Sequence, residues 1–427
     1  MNRNSILKAS ENRAGGKHFP GFDGIRLVAA IAVILTHSFT VLSIDTKSFP
    51  GSALIQLALA VGHYGVYAFF VMSGFLLARS LTFNPAPVSY AVNRALRILP
   101  AFIFYSLLMG LFLGPVLSRA SIADYFSDPA VYKFLRFGID SISSQWLPHV
   151  FVREGSLSGV INGSLWTLSY EAISYLILLV FWSVLRSPIK VAFSFVILAA
   201  ASAISPKVHS MMASVAYLLP YFAGGVVMSV IYGKWGVNRI IALVCAAVFL
   251  VSCFWGNPAI TFAVVGPYLV VFLGERPNFL TKPIAKIGDI SYGMYIWGWP
   301  VQQTIYQLTG DIEPMLLFVL AVPVTAVFAF VSFHAVEKPA MNMRRPMGRA
   351  LQAAVNRGLE WAGPSANSAI WGARIAFWTS ACVIVLFTSF WWYLISSTVA
   401  IAAVSVLGAV IVGLADREFR EFRGRWA

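Results

Sequence analysis

Two ionisable side chains, Arg26 and His37, interrupt one otherwise apolar stretch, GFDGIRLVAAIAVILTHSF at residues 21–39. At 100° per residue their separation is three helical turns plus about 20°, so a helix puts both on one face, about 16 Å apart along its axis. A histidine near mid-membrane is the residue type that takes and returns protons at neutral pH. An arginine at the mouth of the same face can hold an anion, or it can simply set topology. A hydrogen-bonded packing role for His37 is the weaker alternative, because ionisable groups inside a membrane usually face a cavity or a functional site. Asp23 is placed to cap the first turn and to pair with Arg26 three residues on.

Other polar groups fall on neighbouring apolar stretches. In GSLWTLSYEAISYL, Glu171 lies about 7–8 Å below the outer surface, and His37 about 12 Å below it for a 30 Å core. The two could meet, and a carboxylate beside an imidazole prepares a general base; Glu171 could equally clamp two helices. SYAVNRALRILP puts Arg94 and Arg97 one turn apart at the inner entrance of its helix, with Arg79 at the end of the preceding apolar run. Guanidiniums gathered near Arg26 would suit phosphate, or serve only as positive-inside markers. Ser73 and Gly74, in FFVMSGFLL, permit close helix approach or line a passage. Ser73 and Tyr292 are candidate oxyanion donors by depth. Spacing and charge alone do not separate transfer of a group from transport of a whole anion.

The elements that must position these residues follow from composition. With 59% hydrophobic, 15% aromatic and 11% charged residues, the chain has too little polar surface for a soluble globule. The expected fold is all-α: a polytopic integral membrane helical bundle of about 12 transmembrane helices, a ten-helix core plus a C-terminal hairpin. Apolar runs of spanning length lie near 25–44, 62–81, 98–117, 166–185, 189–205, 211–232, 240–255, 257–273, 288–308, 314–335, 374–395 and 397–415. Only WGNP separates the seventh and eighth, and only SST the last two, so each pair should be a tight hairpin. With the N-terminus inside, six of the 31 basic residues fall outside: Lys47, Arg119, Lys133, Arg136, Arg153 and Lys207. The net charge of +14 is therefore mostly topogenic, compatible with contact to membrane lipid headgroups and calling for no nucleic acid partner. The first residues carry no apolar stretch with a cleavage site, so no cleaved leader is expected.

The expected organisation is a cytoplasmic tail at 1–20, a transmembrane domain at 21–342, a basic cytoplasmic linker at 343–373, an accessory transmembrane hairpin at 374–415 and a cytoplasmic tail at 416–427. Cys245, Cys253 and Cys382 fall in apolar spans without metal-ligand or disulfide spacing, which predicts three buried thiols and no metal site. The outer loop at 118–165 offers Trp146 and His149 as sugar contacts, or is an ordinary solvated loop.

Six segments in order, FDGIR with the Arg-to-His spacing, FFVMSGFLL, NRALRILP, SLWTLSYEAISYL, ISYGMYIWGWPVQQ and HAVEKP, resemble the membrane-bound acyltransferase family 3, which includes O-antigen acetylases and nodulation-factor acetyltransferases. The resemblance covers about residues 19–342. It implies an acyl-CoA-dependent O-acetyltransferase of the cytoplasmic (inner) membrane with both termini cytoplasmic. The donor would be cytosolic acyl-CoA, with acetyl the family default and no permanently bound cofactor. The acceptor would be a hydroxyl of an extracytoplasmic or lipid-linked saccharide. Carried onto this chain, Arg26 and His37 match the essential first-helix pair with His37 as base, Arg94 and Arg97 the paired-arginine motif for CoA phosphates, and Glu171 the helix-borne carboxylate. Ser73 falls in the Ser-Gly-Phe motif that shapes the acyl passage. Many relatives carry a histidine where this chain has Gly298. The competing reading is a secondary transporter or flippase for an anionic or lipid-linked substrate; a transporter should show inverted repeats, and no convincing internal repeat is present.

Overall fold

In the computed structural model helix is the predominant structure of the described residues, 19–42, 52–84, 86–135, 146–152, 159–204 and 210–361. These include two isolated bridges and no β-strand. Its longer helices are α1 (Pro20–Val41), α2 (Ser52–Phe83), α3 (Pro87–Leu108), α4 (Trp166–Leu185), α5 (Pro188–Ile204), α6 (Ser210–Trp235), α7 (Arg239–Trp255), α8 (Pro258–Glu275), α9 (Ser291–Thr309), α10 (Pro314–Ser332) and α11 (Arg344–Trp361). Each of the first ten predicted spans coincides with one of α1 to α10. By length and apolar character, α1, α2, α3, α4, α8 and α10 could cross a membrane, and α7 and most of α5 are shorter apolar helices. This is a helical membrane protein. The figure of about twelve crossings is a reading of the sequence alone. The two spans of the predicted C-terminal hairpin, the N-terminal tail up to residue 18, the C-terminal tail, the linker beyond 361, Cys382 and the basic residues Lys47, Arg136, Arg153 and Lys207 all lie outside the described residues.

Local signals account for the helix ends. Proline opens α1, α3, α5, α8 and α10, where its missing N–H costs no intrahelical bond. The WGNP hairpin is as tight as expected. Gly256 ends α7, and the next residue, Asn257, caps α8 by accepting from the Ile260 amide at 3.2 Å. Glu313 caps α10 in the same way through the Leu316 amide at 3.0 Å. The third helix begins eleven residues before its predicted span, because its first turns are amphipathic and escape a hydropathy criterion. Arg94 and Arg97 therefore sit inside α3 rather than ahead of it.

Packing places α1 at the centre, against α2, α8, α9 and α10. Lipid tails are as apolar as leucine, so association here depends on close approach more than on escape from water. A Cβ on Gly74 of α2 would lie 2.2 Å from the Phe222 carbonyl oxygen of α6, and one on Gly225 of α6 would lie 2.2 Å from the Val71 carbonyl oxygen. Gly74 of the SG pair in the second span is thus a helix-packing contact. Two π-turns, Met109–Leu113 and Phe333–Glu337, interrupt the ends of α3 and α10. The cysteine expectation needs correcting: Cys253 is exposed and Cys245 half-buried, because both lie on α7, a peripheral helix with an outward apolar face.

Candidate functional site

The polar side chains form three groups along the bundle. At the end that carries Pro20, Arg26 Nη1 lies 3.0 Å from Asp23 Oδ1 and 3.5 Å from Asp289 Oδ2. Arg97 of α3 reaches the same Asp289 oxygen at 2.8 Å and Glu337 Oε2 at 3.8 Å. Asp289, in the turn before α9, also accepts from the backbone and hydroxyl of Ser291. Burial alone would raise its pKa, but Arg97, Arg26 and Ser291 together hold it below the ordinary carboxylate value. The Asp23–Arg26 pair predicted from sequence is present, and Asp289 ties α1 to α3. Glu337 is 1% exposed, turned inward by the second π-turn, and accepts from Ser332.

Two expectations at this end change. Arg79 does not join Arg26; Phe19, Phe75, Phe83 and Tyr232 surround its guanidinium at 4.9–5.6 Å from their ring centres, which makes it a packing anchor. Tyr292 donates to the Ile98 carbonyl at 3.0 Å and lies beneath Arg97. Its hydroxyl is committed at the basic end, about 10 Å along α9 from the part that touches His37.

The middle group joins α2 and α4. Ser73 Oγ donates to Glu171 Oε1 at 2.9 Å and lies 3.2 Å from the Tyr175 hydroxyl, which itself donates to Glu171. Glu171 is thereby held by Ser73 and Tyr175 and not by His37. The depths were compatible, but the side chains of α1 and α4 do not face each other at that level. Arg94 stands over the Tyr175 ring, 6.0 Å from its centre.

The third group surrounds His37, which is half-buried on α1. Ser164 Oγ lies 3.5 Å from Nδ1, the long limit of a hydrogen bond, and Trp299 of α9 packs edge-on with ring centres 4.9 Å apart. Ser164 is itself fixed from several sides: its amide donates to Asn162 at 3.0 Å, its carbonyl accepts from Tyr295 at 2.9 Å, and Tyr295 is bonded to Thr167 at 2.6 Å. Gln302 donates to Ile34 and Ser38, one turn before and one residue after His37. Described parts of the 118–165 loop fold against this end: the Val160 carbonyl accepts from Trp299 and Gln303, and Ser118 bonds the Pro148 carbonyl. Trp146, 47% exposed, and His149 remain on its exposed surface. Gly298 faces α1 directly, where a Cβ would lie 2.8 Å from Ile34 Cγ1, so α1 occupies the space a larger residue there would need.

Sequence reasoning passed over Asp289, Glu337, Asn162, Ser164 and His63, the last on α2 and close enough to interact electrostatically with His37. Asp289 directly precedes the ISYG run, Glu337 lies within HAVEKP, and Asn162 and Ser164 flank the start of α4. These four had their signal in or beside segments already singled out, and His63 did not. Among the described residues no group of three or more His, Cys, Asp or Glu side chains could hold a metal ion.

The opposed ends, one with clustered arginines and the other with a half-buried histidine, suit transfer between two faces of a membrane. Comparison with known proteins gives the chemistry. Residues 19–334 match a family model described as an acyltransferase domain. The chain is 28% identical to an O-acetyl transferase of Shigella phage Sf6 over 76% of this chain and 97% of that protein. It is 25% identical to nodulation protein 10 of Rhizobium leguminosarum bv. viciae over 78% of this chain and 96% of that protein. No solved structure matches it. The chain belongs to the membrane-bound acyltransferase family 3.

Proposed function

We propose that this acyltransferase moves an acyl group, acetyl by family default, from cytosolic acyl-CoA to a hydroxyl of an extracytoplasmic or lipid-linked saccharide, with His37 as general base. The observation that carries the reading is the placement of the arginine cluster and His37 at opposite ends of one central helix, with the Ser73–Glu171–Tyr175 group between them. The phage relative is named for O-acetyl transfer, which supports an oxygen acceptor. The orientation puts the arginine end at the cytoplasmic face of the inner membrane, with both termini cytoplasmic, in line with the distribution of Lys and Arg.

In this mechanism the donor phosphates dock at the arginine end and the thioester arm runs inward along α1. Ser164 beside Nδ1 leaves Nε2 of His37 for substrate. Nε2 takes the acceptor hydroxyl proton as that oxygen attacks the thioester carbonyl. The carbon–sulfur bond then breaks, and the departing thiolate receives the proton back from His37. An acyl-histidine relay would use the same nitrogen. Ser73 and Tyr175 fix the Glu171 carboxyl along the passage by hydrogen bonds, a positioning role and not contact with His37. The chain's long apolar helices make membrane lipid its solvent.

The test is thiol release from acetyl-CoA by purified protein in nanodiscs with a saccharide acceptor. Turnover should appear in wild type and fall by about 10²–10⁴ in His37→Ala while CoA binding persists. Full turnover in that variant would remove His37 from the mechanism. Anion uptake into proteoliposomes carrying the same protein, without thiol release, would favour the transporter.

A further inference from the structure

The paired arginines of α3 differ in their surroundings. Arg97 is enclosed by Asp289 at 2.8 Å, Glu337 at 3.8 Å and the sulfur of Met341 at 3.7 Å. Arg94 forms no ion pair among the described residues, and its Nε is buried without a hydrogen-bond partner. A second guanidinium shares that condition. Arg344, the first residue of α11, also has a buried Nε with no partner and interacts electrostatically with both Arg94 and Arg97.

Covalent continuity explains how Arg344 comes to lie there. Beyond α10 the π-turn carries Glu337 and the short helix Lys338–Asn342 carries Met341 against Arg97. The chain then turns at Met343, and α11 packs along the start of α3, where a Cβ on Gly348 would lie 3.6 Å from Ser89 Oγ. One segment thus clamps Arg97 and delivers Arg344. Two like charges held together, each with a buried unpaired donor, are unfavourable unless an anion completes them.

We infer that Arg94 and Arg344, rather than Arg94 and Arg97, are the pair that binds a phosphate group of the donor. Arg97, held by Asp289 and Glu337, is a positioning residue. The inference rests on the acyl-CoA reading above. The shared ligand chemistry is a phosphate ester, which a lipid headgroup also carries.

The test is calorimetric titration of CoA, and of pantetheine, which lacks the phosphates, into protein in zwitterionic nanodiscs. Arg94→Gln and Arg344→Gln should each weaken CoA binding about tenfold, the scale of one charge-assisted hydrogen bond, and leave pantetheine binding unchanged. Arg349→Gln, an exposed arginine on the same helix, should leave CoA binding as in wild type. Arg344→Gln binding CoA like wild type would overturn the inference and leave the donor reading standing. Wild type that binds no CoA would overturn the donor reading itself. An Arg349→Gln loss as large as that of Arg344→Gln would reduce the effect to general surface charge and overturn the pair. In discs doped with anionic lipid, an Arg344→Gln effect on lipid association without one on CoA would assign the site to headgroups, again against the inference. If Arg344→Gln does not fold, Arg94→Gln and Arg344→Lys carry the same test. The lysine variant keeps the charge without the fork and should bind CoA more tightly than Arg94→Gln.

Discussion

Replacing Asp289 by Asn removes the one charge that two guanidiniums share while keeping the side chain's shape. Arg97 stands 2.8 Å and Arg26 3.5 Å from the same oxygen, all three side chains about a fifth exposed. Breaking a buried ion pair by losing one partner costs about 3–5 kcal/mol. Partial exposure lowers that here, and Asp23 keeps Arg26 paired at 3.0 Å while Glu337 stays near Arg97. A net loss of about 2–4 kcal/mol follows, which at roughly 2 °C per kcal/mol lowers the melting temperature by about 4–8 °C. Intrinsic fluorescence melts in nanodiscs would read it. Because the folded carboxyl titrates below its unfolded value, its contribution is present above about pH 4 and is lost as pH falls through the folded pKa. The difference between wild type and Asp289→Asn should therefore shrink only under strongly acidic conditions. An unchanged melting temperature at neutral pH would refute Asp289 as the tie between α1 and α3.

Three further outcomes are expected. Gly74→Ala should destabilise the bundle more than Gly298→Ala: the first drives a Cβ into the Phe222 carbonyl oxygen at 2.2 Å, the second meets only the flexible Ile34 side chain at 2.8 Å. Overpacking of the yielding kind costs about 1–3 kcal/mol, and comparative melts would show the order. Arg79→Lys should lower stability by about 1–2 kcal/mol through lost contact with its four rings while leaving CoA affinity unchanged. Ser164→Ala should cut turnover several-fold without changing donor affinity, because Trp299 still packs on the His37 ring. An Ser164→Ala enzyme as fast as wild type would mean that Trp299 alone orients the base.

What could be read along the chain is what depends on periodicity and composition. Apolar runs located α1 to α10, the Pro and Asn signals located their starts, and the eleven-residue interval put Arg26 and His37 on one face of α1. The order of six motifs was enough for the family. All of these are properties of one segment at a time, or of segments taken in sequence.

Which side chains meet was decided by rotation and depth of helices relative to one another, and no single segment encodes that. Glu171 had a depth compatible with His37, yet α4 turns it toward Ser73 and Tyr175. Arg79 shares the basic end with Arg26, yet Phe19 and Tyr232 from other segments close over it together with Phe75 and Phe83 of its own helix. Asp289 and Glu337 sat within or beside recognised motifs as unremarked acids until tertiary packing brought both to Arg97. Arg344, more than two hundred residues from Arg94, reaches it only because the chain beyond α10 folds back along α3. Interactions between helices depend on a few ångströms and tens of degrees, and in a membrane interior, where close fit rather than escape from water joins the helices, those offsets are set by where glycines such as Gly74 and Gly225 let backbones touch.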